Sequence, residues 1–243
     1  MREVDDVDWT DQIDSYCERT GPGLLAEPVN AVSNLAFLVA AFAVWRSLQR
    51  AGRPIPASLR ALVALVAVIG LGSGAFHTFA TVWASAADVL PISAFMVFYL
   101  VCYLHWFWGV RWGWAWWSVP AFVLFSLTVT TLVTVTLGGQ RGSTGYVPAL
   151  AVLAGAGVAL LNSDRTLRRC AYLLVGAAGL FTVSLALRTL DEPLCAALPL
   201  GTHFLWHVLN AMVLYLVCQA LVLRWSRLGD TPPSRSVPHS PER

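Results

Sequence analysis

Apolar residues in this chain come in long unbroken runs, not in the alternating or three-to-four-spaced stripes of a water-soluble fold. Seven runs reach or approach the length that crosses a bilayer as a helix: roughly 31–50, 60–80, 89–109, 114–137, 146–162, 169–187 and 203–224. A backbone in lipid must satisfy its own polar groups, so runs of this length are read as helices. The pattern predicts an all-α integral membrane protein. It has an acidic segment over 1–27, a seven-helix bundle over 28–225 and a polar, disordered tail over 226–243.

Composition agrees: 57% of the 243 residues are hydrophobic and 12% charged, outside the range of soluble domains. The chain has no lysine, which removes any Schiff-base or lysine-nucleophile chemistry, and its arginines are unevenly placed. Cytoplasmic loops collect basic residues. An outside N-terminus and an inside C-terminus put Arg46, Arg50, Arg53, Arg60, Arg111, Arg165, Arg168, Arg169, Arg224, Arg227, Arg235 and Arg243 on the inner side. Only Arg2, Arg19, Arg141 and Arg188 then lie outside, with the acidic cluster Glu3, Asp5, Asp6, Asp8, Asp11 and Asp14. No basic stretch with a small-residue cleavage site precedes the first run, so that run is expected to act as its own insertion signal. No phosphate-binding loop, nucleotide fingerprint or repeat occurs. The expected partners are lipids, with no nucleic-acid or protein partner.

Candidate chemistry gathers at the outer ends of the runs. In GTHFLWHVLN, His203 and His207 share one face of a helix, the spacing of paired zinc ligands, but without the intervening glutamate of the HExxH proteases. His77 closes the second run one turn after Ser73, and alternate runs point in opposite directions, so His77 falls at the depth of the other two. Three histidines with one open position suit a catalytic zinc ion. Asp88 opens the third run at this level, as a helix cap, a base, or both. His105 lies about 25 Å deeper and belongs to the opposite end, in the tryptophan-rich run HWFWGVRWGWAWW. Asp14, Glu18 and Glu27 bring hard oxygens to the outer surface, either as a calcium site or as a solvated acidic leader. Asn30, Ser33 and Asn34 follow on a broad common face. Arg188, Asp191 and Glu192 are read as part of a charged outer loop that pairs internally, binds a lipid headgroup or touches the N-terminal segment. Cys17 and Cys195 share the oxidising side and form either a disulfide or two free thiols.

IDSYCER with AEPVNAVSNL, GSGAFHTFATVWASAADVLP, and RTLDEPLC followed by GTHFLWHVLN, in this order, resemble the alkaline ceramidase family. That family sits within the seven-helix membrane hydrolases that include the adiponectin receptors. The resemblance implies zinc held by His77, His203 and His207, with Ser73 and Asp88 beside a zinc-activated water that attacks the amide carbonyl of ceramide. It also implies a calcium site from Asp14, Glu18 and Glu27. Thr20 stands where an asparagine ligand is expected, and Tyr16 near a position often held by tryptophan. The compact, lysine-free chain looks like a bacterial member of the cytoplasmic membrane, with its active site toward the outer face. The alternatives are an ester-cleaving lipid hydrolase on the same zinc site, or a receptor-like seven-helix protein with structural zinc.

Overall fold

The computed structural model describes residues 8–138 and 143–229. Arg2, Glu3, Asp5, Asp6, Arg141, Arg235 and Arg243 therefore lie outside the described residues, as does the tail beyond residue 229. Seven helices are long and apolar enough to cross a membrane. They are α1 (Pro28–Arg50, interrupted at Asn34), α2 (Ala57–Phe79), α3 (Val82–Trp108), α4 (Ser118–Leu137, after the short helix Trp112–Ala115), α5 (Val147–Leu161, reaching spanning length with the 3-10 turn Thr144–Tyr146 before it), α6 (Arg168–Leu194) and α7 (His203–Gly229). Each packs on the next and α7 returns to α1, closing a ring. Helix α7 also touches α2 and α3, so the last helix serves as the bundle's inner post. Leu62, Val66, Leu174 and Leu221 fill the core between α2, α6 and α7.

Helix α4 is the outlying element. Leu124, Leu127 and Val135 are exposed along it, on a surface a bilayer would cover. Two of its hydroxyls are made compatible with lipid by bonding back to their own helix, Thr128 to the Leu124 carbonyl and Thr136 to that of Leu132.

Three helix ends depart from the hydrophobic pattern. Helix α3 begins at Val82, not at 89, so Asp88 is an interior residue of the helix and not its cap. The cause is tertiary: the first amides of α3 are taken by the N-terminal segment, Val82 N donating to the Asp11 carbonyl and Trp83 N to that of Trp9, both at 3.1 Å. Helix α6 runs on to Leu194, so Arg188, Asp191 and Glu192 sit on its last turns and not in a loop. Residues 226–229, expected in the tail, continue α7.

The N-terminal segment crosses the outer end of the bundle. It pairs with the α2–α3 link through one antiparallel bridge, Gln12 with Thr81, and through Ile13 N donating to the Ala80 carbonyl at 2.7 Å. It is then tied to the α6–α7 link by a disulfide between Cys17 and Cys195.

Candidate metal centre

Helices α2 and α7 deliver three histidines to one point beneath that segment. His77, on the last turn of α2, and His203 and His207, on the first turns of α7, each offer a ring nitrogen, and the three lie within 4.8 Å of one another. Each residue is 1% exposed. Among the described residues this is the group of three or more histidine, cysteine or acidic side chains close enough to hold a metal ion.

Hydrogen bonds assign the tautomers of two rings. Ser33 donates its hydroxyl hydrogen to the Asn30 carbonyl at 2.7 Å, so its oxygen accepts from Nδ1 of His207, also at 2.7 Å. A carboxylate only accepts, so Nδ1 of His77 donates to Glu27 at 2.6 Å. In both rings Nε2 is left with its lone pair free, buried and without a partner; Nδ1 of His203 is likewise buried and unpartnered. Unsatisfied ring nitrogens this deep cost free energy unless something binds them. Three neutral imidazoles with one further position match the donor set of a catalytic zinc ion.

Glu27 is held from both sides. Arg19 Nε lies 2.5 Å from one oxygen, and Asn30 Nδ2 donates to the other at 3.2 Å. Burial works to raise the Glu27 carboxyl, but the hydrogen bonds from His77, Arg19 and Asn30 outweigh it and hold the group below its ordinary range. Tyr16 covers the other side, stacked on His203 with ring centroids 3.7 Å apart. Its phenol is pushed up by burial, with Arg188 opposing, and so stays neutral.

Ser73 is buried one turn before His77, within hydrogen-bonding reach of Asp88. Two residues make this approach possible. Pro91 has no N–H for the Ala87 carbonyl, which is freed from the helical ladder, and that carbonyl lies against Gly72, where any Cβ would collide with it. On the same floor an apolar cavity of about 130 Å³ descends from Ser73 and His207 past Phe95, Leu153 and Val213 to Tyr99 and Tyr103.

The start of α7 is built by Asp191. One of its oxygens accepts from the backbone amides of Thr202 and His203 at 2.6 and 2.8 Å, and the other from that of Cys17 at 3.1 Å. Gly201, with φ +67°, turns the chain into the helix where a side chain would strike Asp191.

A family model described as Ceramidase matches residues 14–236. The chain belongs to the ceramidase family. No curated protein matches it. Members of the ceramidase family hydrolyse ceramide, so membership implies a hydrolase acting on amides.

The expected site residues of this ceramidase-family chain are distributed as follows. His77, His203 and His207 converge, and Ser73 and Asp88 stand beside them. Among the described residues Asp14, Glu18 and Glu27 are not grouped closely enough to share an ion: Asp14 is exposed, Glu18 accepts from the first amides of α1 (Val29 N at 2.7 Å, Asn30 N at 2.8 Å), and Glu27 is engaged by His77 and Arg19. His105 is far from the centre, donating to the Val110 carbonyl. The sequence pattern assigns Arg19 no role at this site, although an arginine between Cys17 and Glu27 in an otherwise acidic leader is a legible signal. The supporting role of Ser33 was visible only as membership of a polar helix face.

Proposed function

We propose that this ceramidase-family protein is a zinc-dependent amidohydrolase. It cleaves ceramide or a similar lipid amide to a free fatty acid and a sphingoid base. The observation that carries the reading is the convergence of three buried, unpartnered imidazole nitrogens, with Asp88 beside Ser73, and Ser73 and His207 lining the head of an apolar cavity. His77, His203 and His207 would hold a zinc ion, which would supply Lewis acidity to a carbonyl oxygen and to water. Asp88 takes the proton of the attacking water and returns it to the departing amine nitrogen, so the C–N bond breaks with its charge neutralised. Ser73 orients the water or donates to the oxygen on which negative charge develops. The cavity holds the acyl chain, and Tyr16 with the N-terminal segment excludes bulk water.

The arginine distribution supports an outside N-terminus, and hence a centre toward the outer face of the membrane. The test is zinc content and fatty-acid release from a ceramide panel for the purified protein, with His207→Ala and Asp88→Asn in parallel. We expect turnover to be lost in both and zinc only in the first. Stoichiometric zinc with turnover of esters but no amide would move the reading to an ester hydrolase. Full turnover in Asp88→Asn would remove Asp88 as the base.

A further inference from the structure

Two arginines reach the centre, and their surroundings differ. Arg19 is matched by Glu27 at 2.5 Å. Arg188, on α6, has no carboxylate within ion-pairing distance among the described residues. Asp191, one turn further along the same helix, spends its oxygens on the backbone amides of Cys17, Thr202 and His203. Arg188 instead meets Tyr16: its Nη1 donates to the phenol oxygen at 3.0 Å, while its Nε is buried without a partner. The rings of Tyr16, Tyr146 and Trp206 frame the guanidinium, their centroids 5.7, 5.6 and 5.1 Å from its central carbon. Aromatic rings fix the plane of a guanidinium without consuming its N–H groups. Tyr146 and Trp206 also line the apolar cavity.

This contact gives Tyr16 a direction. Its oxygen accepts from Arg188, so its own hydrogen is free to point elsewhere, and no group among the described residues takes it. The ring is stacked on His203, 3.7 Å between centroids, and lies 5.2 Å from that of His77. The phenol therefore brings an unspent donor to the edge of the histidine centre, with the unspent Nε–H of Arg188 next to it. Near them stands an unspent acceptor, for Oδ1 of Asp88 is buried without a partner, and the Asp88 charge acts on Tyr16, Tyr146 and Arg188 alike.

A group that completes this set must both accept and donate. A hydroxyl does so, whereas an anionic headgroup only accepts and meets the negative charge of Asp88, with that of the buried Asp191 behind it. In a sphingoid base, hydroxyls stand on both carbons that flank the amide-bearing one. We infer that Arg188 and Tyr16 form a specificity-determining pair that reads a hydroxyl of the sphingoid base, guanidinium and phenol donating to its oxygen. This rests on the amidohydrolase reading for the identity of the substrate, but its binding arm does not depend on turnover.

The test compares ceramide with an N-alkyl amide of the same chain lengths that lacks both hydroxyls, for wild type, Arg188→Met, Arg188→Lys and Tyr16→Phe. Two quantities are read: kcat/KM of the zinc-loaded protein and, for zinc-free protein, displacement of a fluorescent fatty-acid probe. We expect wild type to favour ceramide by roughly tenfold or more in both, the scale of a hydrogen bond to a charged donor. Arg188→Met should erase that ratio and Arg188→Lys should keep part of it. Tyr16→Phe, which retains the stacked ring, should lower it severalfold, and this variant decides if Arg188→Met fails to fold. A wild type without preference, or a ratio unchanged in Arg188→Met or in Tyr16→Phe, overturns the inference. Equal cleavage of both amides does so while leaving the amidohydrolase standing. Hydroxyl-selective binding that Arg188→Met erases, without turnover of either amide, supports the pair and overturns the amidohydrolase instead.

Discussion

Ser33 shows how a modest hydroxyl sets the chemistry of a metal centre. Its hydrogen is committed to the Asn30 carbonyl, so its oxygen can only accept, and this holds His207 with Nε2 free. Partners of this kind are typically worth about 10–100-fold in metal affinity. Ser33→Ala should therefore weaken zinc binding by that factor in chelator competition, with helical content unchanged; equal affinity would mean that the ring is oriented by packing alone. Glu27 plays the corresponding part for His77 but is also half of a buried ion pair. Removing one partner of such a pair costs about 3–5 kcal/mol, because the other charge is left uncompensated. Arg19→Met should thus lower the midpoint of thermal unfolding markedly. The same guanidinium occupies the Glu27 oxygen that a calcium ion would need. In zinc-buffered medium, adding or withdrawing calcium should leave turnover unchanged, and a calcium-dependent rate would show that this part of the family resemblance does carry over.

At the scale of helices, much was legible in the sequence, because lipid allows few alternatives. Runs of about twenty apolar residues predict spans, and the alternating direction of spans brings His77 level with His203 and His207. What could not be read were helix ends set by distant partners. Helix α3 starts early because Asp11 and Trp9 accept its first amides, and α6 runs late toward Pro193. Asp88 is consequently displayed from within a helix, and its position depends on the approach of α3 to Gly72. Gly72→Ala would push the Ala87–Asp88 backbone away while leaving His77 on its own helix. A displacement of about 1 Å can cost on the order of 100-fold in rate. The expected result is that turnover falls by that factor with zinc content retained, and parallel loss of both would mean that the helix pair itself had come apart. At the far end of the cavity, Tyr103 donates to the Ala156 carbonyl at 3.0 Å and closes the floor. Tyr103→Ala should shift preference toward longer acyl chains by roughly tenfold, read as the ratio of kcat/KM for long and short amides.

Across the whole molecule, the bundle and its covering segment are held by different means. The helices of residues 28–138 and 143–229 are joined by packing around a closed ring, whereas the described part of the N-terminal segment has little hydrophobic burial of its own. It is secured by the bridge at Thr81, by Glu18 on the first amides of α1, by Asp191 on the Cys17 amide, and by the disulfide from Cys17 to Cys195. The last two meet at Gly201, so one junction fixes both the cover and the first turn of the helix that carries His203 and His207. Opening the disulfide should therefore loosen the cover while the ring of helices stays closed. Tyr16 would lift from His203, and Arg19 would lose the tether two residues away that keeps it on Glu27. A Cys17→Ser, Cys195→Ser double variant should keep the helical circular dichroism of the parent. It should release zinc to a chelator roughly ten times faster or more, in line with the loss of partners that hold metal ligands. Unaltered zinc release would mean that Asp191 and the Thr81 bridge suffice to hold the cover. Collapse of the helical signal would mean that the cover is part of the bundle's stability and not a separate layer over it.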